Sequence, residues 1–255
     1  MFAEDEARVL RRWAADDRQV DEWVRRRAAG EPLEHIVGRV EFDGLDLHVG
    51  PGVFVPRRRS LLLAEIVVEQ VVADRVAERG LLVVEACCGV APIGAVLGAR
   101  MPEASVMVAD AEGRALMYAR RNAPHADVYE GELLAALPPP TRGRVAVIAA
   151  VPPYVPDSQA RLLPTEATGH EPRRALFGGV DGLDTVRLLL KQSLDYLARS
   201  DDRVRGDDRP CGVVALEMHR SQAEPAQEFA VAHGYRTSVV LGDDGQTVVL
   251  LARIV

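Results

Sequence analysis

The sequence predicts an α/β fold. A doubly wound, mainly parallel sheet is closed by a C-terminal antiparallel hairpin and preceded by a small helical region and a β-hairpin. Three observations predict it. Short, mostly apolar runs recur from residue 81 onward, as strands buried on both faces require. Helical periodicity fills the intervals between them. The last two runs are separated only by Asp243-Asp244-Gly245, a hairpin turn and not a crossover.

The elements follow in order. The first 30 residues read as helix, because Val9, Leu10, Trp13, Val20, Trp23 and Val24 recur at helical spacing among charges. Trp13 and Trp23 fall on one face and are expected to pack the N-terminal helices together. Gly30-Glu31-Pro32 ends the pattern. Val40 to Val49 alternates partly with period two, which predicts a hairpin turning near Asp43-Gly44. A turn at Gly50-Pro51-Gly52 leads into Val53-Phe54-Val55-Pro56. Ser60 is the expected N-cap of a helix through about Glu78. Five parallel-type strands are expected: Leu81 to Val84 ending at Glu85, Ser105 to Ala109 ending at Asp110, Asp127 to Tyr129, Val145 to Val151, and Val213 to Leu216 ending at Glu217. Helices are expected at about 92–100, 112–122, 181–199 and 221–233. Thr237 to Leu241 and Thr247 to Ile254 make the closing hairpin. Asp201 to Pro210 is charged, contains Gly and Pro, and reads as a solvated loop.

Composition bounds the function. The chain has 255 residues and a net charge of −7, with 48% hydrophobic residues, so it folds but lacks the basic face of a nucleic-acid or anionic-membrane binder. Arg57-Arg58-Arg59 is too short to reverse this. No apolar run approaches the roughly 20 residues of a membrane span. The acidic start, Glu4-Asp5-Glu6, does not read as a signal peptide. Three cysteines, two of them adjacent, make no disulfide framework, and a reduced, cytoplasmic setting is expected.

In open α/β sheets the ligand lies at the carboxyl ends of the strands. The first strand leads into Glu85-Ala86-Cys87-Cys88-Gly89-Val90-Ala91-Pro92, where small residues let backbone approach a ligand and Pro92 suits a first helical turn. Asp110 ends the second strand, 21 residues past Gly89, where a carboxylate can bind ribose hydroxyls. A tight turn with a capping Asp is the plainer alternative. The fourth strand ends in Val151-Pro152-Pro153-Tyr154, whose two prolines stiffen the exit and leave carbonyls free.

Several fragments together resemble one family. Gly30-Glu31-Pro32-Leu33-Glu34-His35-Ile36-Val37-Gly38, Pro51 to Arg57, Pro152-Pro153-Tyr154-Val155-Pro156 and Glu171 to Asp184 look like the PrmC/HemK family. Those proteins are S-adenosylmethionine (SAM) dependent methyltransferases acting on a glutamine side-chain amide of peptide release factors. The twin cysteines and Pro56-Arg57-Arg58-Arg59 look most like a related branch without an assigned substrate. The resemblance runs the length of the chain. It implies a helical N-terminal domain at 1–38 that helps dock substrate, a hairpin linker at 39–58, and a class I, Rossmann-like SAM-binding methyltransferase domain at 59–255. It implies SAM as methyl donor, with Glu85, Cys87, Gly89, Asp110 and Glu132 around it. Val151, Pro152, Pro153 and Tyr154 would form the catalytic rim, and Phe54, Arg57 and Phe177 would touch the substrate.

The sequence also departs from that family. Its glycine loop reads acidic-x-Gly-x-Gly-x-Gly; here Cys87 and Ala91 hold the outer glycine positions, and each adds a Cβ that opposes positive φ. Glu132 stands where Asp is usual. The family's Asn-Pro-Pro-Tyr becomes Val151-Pro152-Pro153-Tyr154, and Phe177 stands where Asp is frequent. In the family the Asn orients the acceptor amide, a poor nucleophile that depends on positioning. Valine cannot do so, and an unpaired amide costs about 1–3 kcal/mol. A changed acceptor is therefore expected: a more nucleophilic small molecule, or SAM itself, cyclising to a small-ring amino acid and methylthioadenosine. A non-catalytic binding module is the alternative outside enzymology.

Other residues carry plainer expectations. Cys87-Cys88 lacks metal-ligand spacing, and Cys211 is distant, so small residues in a buried turn are expected. His35 and His48 are read as surface or hairpin residues. His170 lies on a loop after the catalytic strand, and Glu217 could face the cleft. Arg57 to Arg59 could hold a substrate carboxylate.

Overall fold

A computed structural model describes residues 3–74, 76–199 and 212–254. The loop expected at 201–210 and Cys211 lie outside the described residues.

The first 30 residues form two helices. α1 (Ala3–Trp13) and α2 (Asp17–Ala28) are separated because Asp16 caps the second, its Oδ1 accepting the Gln19 N–H at 2.8 Å. A short α3 (Leu33–Val37) follows Pro32 and stops at Gly38, which is left-handed with φ 74°. Five residues are too few for periodicity to reveal. Leu10, Trp23, Leu33 and Ile36 form a buried cluster with Trp13 packed on it, the expected tryptophan packing. His35 is a correction. It is buried, and its Nε2 lies 3.0 Å from the Val53 carbonyl, because the short helix turns it inward beneath the linker.

β1 (Arg39–Phe42) and β2 (Leu45–His48) pair as the expected hairpin. Asp43 and Gly44 both have positive φ, 54° and 73°, as a two-residue turn of this hand requires. Ser60 does not cap α4 (Leu61–Ala73). A short 3₁₀ turn, Arg58–Ser60, already places Ser60 in helical conformation, and it is buried. The helix ends at Ala73, short of Glu78.

The remaining elements are β3 (Leu82–Ala86), α5 (Pro92–Arg100), β4 (Ser105–Asp110), α6 (Gly113–Asn122), β5 (Asp127–Glu130), β6 (Val145–Ala150), α7 (Thr165–His170), α8 (Arg173–Leu176), α9 (Asp184–Tyr196), β7 (Val213–His219), α10 (Ala223–Ala232), β8 (Tyr235–Leu241) and β9 (Thr247–Ile254). Glu85 and Glu217 therefore lie inside strands, one or two residues before their ends. The short α7 and α8 were not legible as helices.

Among the described residues, seven strands form one sheet in the order β5-β4-β3-β6-β7-β9-β8. The first five are parallel, and β9 runs antiparallel to both β7 and β8. Alternate residues of each strand feed opposite layers. Val83, Val147 and Ala149 pack with α4, α5 and α6, while Val84, Ile148 and Ala150 pack with α9 and α10. The order reverses between β3 and β6, so the carboxyl ends of these strands open a crevice.

Candidate active site

The crevice starts at the turn after β3. Cys87, Gly89 and Ala91 all have positive φ, at 50°, 54° and 59°. The backbone thus keeps a glycine-type loop although two of the three residues carry a Cβ, at about 1–2 kcal/mol each. A Cβ built on Gly89 meets nothing within 4 Å, so this backbone borders open space. Glu85 is buried and accepts the N–H groups of Ile93 (3.2 Å) and Gly94 (2.7 Å), joining strand to helix start. Burial pushes its carboxyl up to about 8, against the pull of those two N–H donors. Both oxygens of Asp110 accept one backbone donor each, from Gly89 and from Glu112, at 2.8 Å. Burial raises Asp110, and these donors hold it down. The register puts Ala86 opposite Ala109, so the glycine loop and Asp110 lie side by side. Burial also raises the thiols of Cys87 and Cys88, which remain protonated small residues of the turn.

A cavity of about 270 Å³ lies above these strand ends, lined by Glu85, Cys87, Gly89, Asp110, Glu132 and Phe177 among others. All five expected cofactor residues meet there. Phe177 is on this side and does not line the neighbouring cavity. Arg173 covers its ring, 4.5 Å from the centroid.

A second cavity, of about 360 Å³, is closed by the N-terminal helices. Glu6, Arg27, Leu33 and Glu34 line one wall, and Val151, Pro152 and Tyr154 line the other. The two cavities share Phe54, Val151 and Ala175, so Val151 sits at their junction. Arg57 lies 4.8 Å over the Phe54 ring and binds Glu171 at 2.5 Å. Glu171 is buried and its Oε2 has no hydrogen-bond partner; burial raises its carboxyl against the charge of Arg57. Arg27 is held bidentately by Glu6 and also pairs with Glu166 of α7, tying the N-terminal helices to the loop after β6.

The proline rim is fixed from behind. Val155 N–H donates to Leu176 O at 2.9 Å and Gly178 N–H to Val155 O at 3.0 Å. Gln222 Nε2 reaches both Tyr154 O (2.8 Å) and Asp181 O (3.0 Å). Gly182 (φ 78°) passes so close that a Cβ would collide with Tyr154 O, which explains the glycine in this segment. The Tyr154 hydroxyl and Arg59 each lie 3.4 Å from Glu217 Oε1. Burial raises the fully buried Glu217, and the Ser60 hydroxyl and Arg59 pull it back. Ser60 is buried and makes no side-chain capping bond to the helix.

Two comparisons follow this geometry. The release factor glutamine methyltransferase of Streptomyces coelicolor is 36% identical over 203 residues, spanning 79% of this chain and 67% of its own length. That of Mycobacterium leprae is 34% identical over 231 residues, 87% of this chain and 72% of its own. The chain belongs to the release factor glutamine methyltransferase family. No family model matches the chain. Among solved structures, a methyltransferase from Pyrococcus furiosus superposes with TM-score 0.54 at 15% identity, covering 93% of this chain and 98% of its own. The N-terminal domain of human METTL16 in complex with SAH superposes at 0.55 with 14% identity, covering 89% and 81%. The fold is that of the class I SAM-dependent methyltransferases. No described helix is long and apolar enough to cross a membrane.

Sequence reasoning missed Glu34, Glu171, Ser60 and Arg174 as cavity residues. The Arg59–Glu217 contact joins residues 158 positions apart, and no local pattern announces it.

Proposed function

We propose that this protein transfers a methyl group from SAM to an acceptor held in the second cavity, and that the acceptor is not a glutamine amide oriented in the family manner. The observation that carries this reading is the junction. The two cavities meet at Val151, Phe54 and Ala175, and the residue there has no polar atom on its side chain.

The residues of the first cavity suit SAM. Asp110 spends one hydrogen bond on each oxygen and keeps lone pairs for ribose hydroxyls. The open backbone at Gly89 admits the amino-acid end. When bound, SAM supplies an electrophilic methyl on a sulfonium, and little acid–base chemistry is needed. The protein's contribution is then mainly positional. Pro152 and Pro153 stiffen the rim, Gln222 fixes the Tyr154 carbonyl, and Phe54 with Val151 keeps water from the junction. In the second cavity Tyr154 offers a phenol, and Arg57 and Arg59 offer guanidinium groups. These suit an acceptor that brings its own nucleophilicity and some polar groups, such as a small-molecule amine or carboxylate.

The test uses SAM with a release factor carrying an unmodified glutamine, comparing the wild type and Val151→Asn by mass spectrometry. Glutamine methylation by the variant alone supports a changed acceptor. Methylation by the wild type at an equal rate overturns it and returns the protein to the family's substrate. Methylthioadenosine formed without acceptor would favour cyclisation of SAM. Absence of SAM binding by calorimetry would favour a non-catalytic module.

A further inference from the structure

The first cavity is lined by four carboxylates, Glu85, Asp110, Glu112 and Glu132, and among its described lining residues one cation, Arg174. Arg174 comes from α8, on the segment that crosses the strand ends. Its Nη2 lies 3.1 Å from Glu132 Oε2, just past β5, and its Nη1 lies 3.8 Å from Glu112 Oε1, just past β4. The guanidinium therefore spans from the end of β4, which is Asp110 itself, to the end of β5. Its edge is committed to carboxylates and its flat face is not. A planar guanidinium held by its edge stacks well on an aromatic ring.

We propose that Arg174 is the nucleoside clasp of this cavity: anchored edge-on by Glu112 and Glu132, it lays its face on the purine of the bound cofactor. A second consequence concerns Asp110, since the positive charge of Arg174 opposes the burial that raises the Asp110 carboxyl. Its charge adds to the Gly89 and Glu112 N–H donors in opposing that burial. This inference rests on the cofactor reading above.

Calorimetric titration with two ligands tests it. S-adenosylhomocysteine has the nucleoside and the amino-acid carboxylate; 5′-methylthioadenosine has only the nucleoside. Arg174→Ala should weaken both by the same factor, about tenfold, equal to ~1.4 kcal/mol. Arg174→Lys should recover less than half of that loss, because it restores the charge without the plane. If S-adenosylhomocysteine weakens while 5′-methylthioadenosine does not, the guanidinium serves the amino-acid end and the proposal fails. If neither changes, it touches no ligand and the proposal fails. If the wild type binds neither ligand, the cofactor reading itself fails, a result distinct from both. Arg174 is half exposed, so the unfolding midpoint of the ligand-free variants should stay within about 2 °C of wild type. Should Arg174→Ala not fold, Glu112→Gln with Glu132→Gln unfastens the same clasp and should weaken both ligands equally, by a smaller factor.

Discussion

The two cavities are built differently. The first lies at the ends of adjacent parallel strands, lined by the turn after β3 and by residues just past β4 and β5, with Gly89 and Asp110 joined by one hydrogen bond. The second is made of side chains from α1, α2, α3, the linker, the strand exit and α7–α8. The turn after β3 holds positive φ at Cys87 and Ala91 although each carries a Cβ. At the junction with the second cavity, Val151 presents a side chain without a polar atom. The difference teaches that a crevice at parallel strand ends is set by the sheet, whereas the second cavity depends on which distant segments meet there.

The sharpest way to break the comparison is at Gly182, which supports the rim of the second cavity with backbone. Gly182→Ala should cost about 2–4 kcal/mol, since the new Cβ meets Tyr154 O and φ is positive. Denaturant unfolding reads it, and a loss under 1 kcal/mol would show the rim is soft. Next, Asp110→Asn should weaken S-adenosylhomocysteine about 10- to 100-fold in calorimetry, as expected for hydrogen bonds to a charged group. Unchanged affinity would place the ribose elsewhere.

The two regions should also respond oppositely to pH. Glu85, beneath the first cavity, has a folded value raised to about 8, so the folded state binds the extra proton. Its contribution to stability falls as pH rises from the unfolded carboxylate range to about 8. His35, beneath the second, is lowered by burial, so the unfolded state binds the extra proton. Its contribution is present above the unfolded value near 6.5 and is lost as pH falls through that value and below. Glu85→Gln should remove the loss of melting temperature that accompanies rising pH between about 4.5 and 8, and His35→Asn the loss that accompanies falling pH below about 6.5. A profile unchanged by both would remove this contrast. The smallest effect is expected at Cys87, where Cys87→Gly should stabilise by about 1 kcal/mol by relieving positive φ. Destabilisation in thermal melts would mean that the half-buried thiol contributes more than the strain costs.

Legibility followed the same division. The parallel strands, the crossover helices and the closing hairpin were readable to within about three residues at their ends, because buried strands and amphipathic helices write their periods locally. Glu85, Gly89 and Asp110 were readable because strand order fixes which loops face the crevice. Ser60 was misread as a cap, since nothing near it in sequence mentions Glu217. His35 was misread as exposed, since a five-residue helix has no periodicity to show which side turns inward. Glu171 and Arg174 were visible as letters in a family-like segment, but not as walls of two different cavities.

The sequence by itself determined the α/β architecture, the crevice at its strand ends and an apolar residue, Val151, before the two prolines. Those depend on local patterns and on the rule that parallel strands share one exit. Only the tertiary structure decided that Val151 stands between two cavities, that Arg27 ties α2 to α7, and that Arg174 bridges Glu112 and Glu132. Each of these joins residues far apart in the chain, and such contacts are set by packing, not by neighbours in sequence.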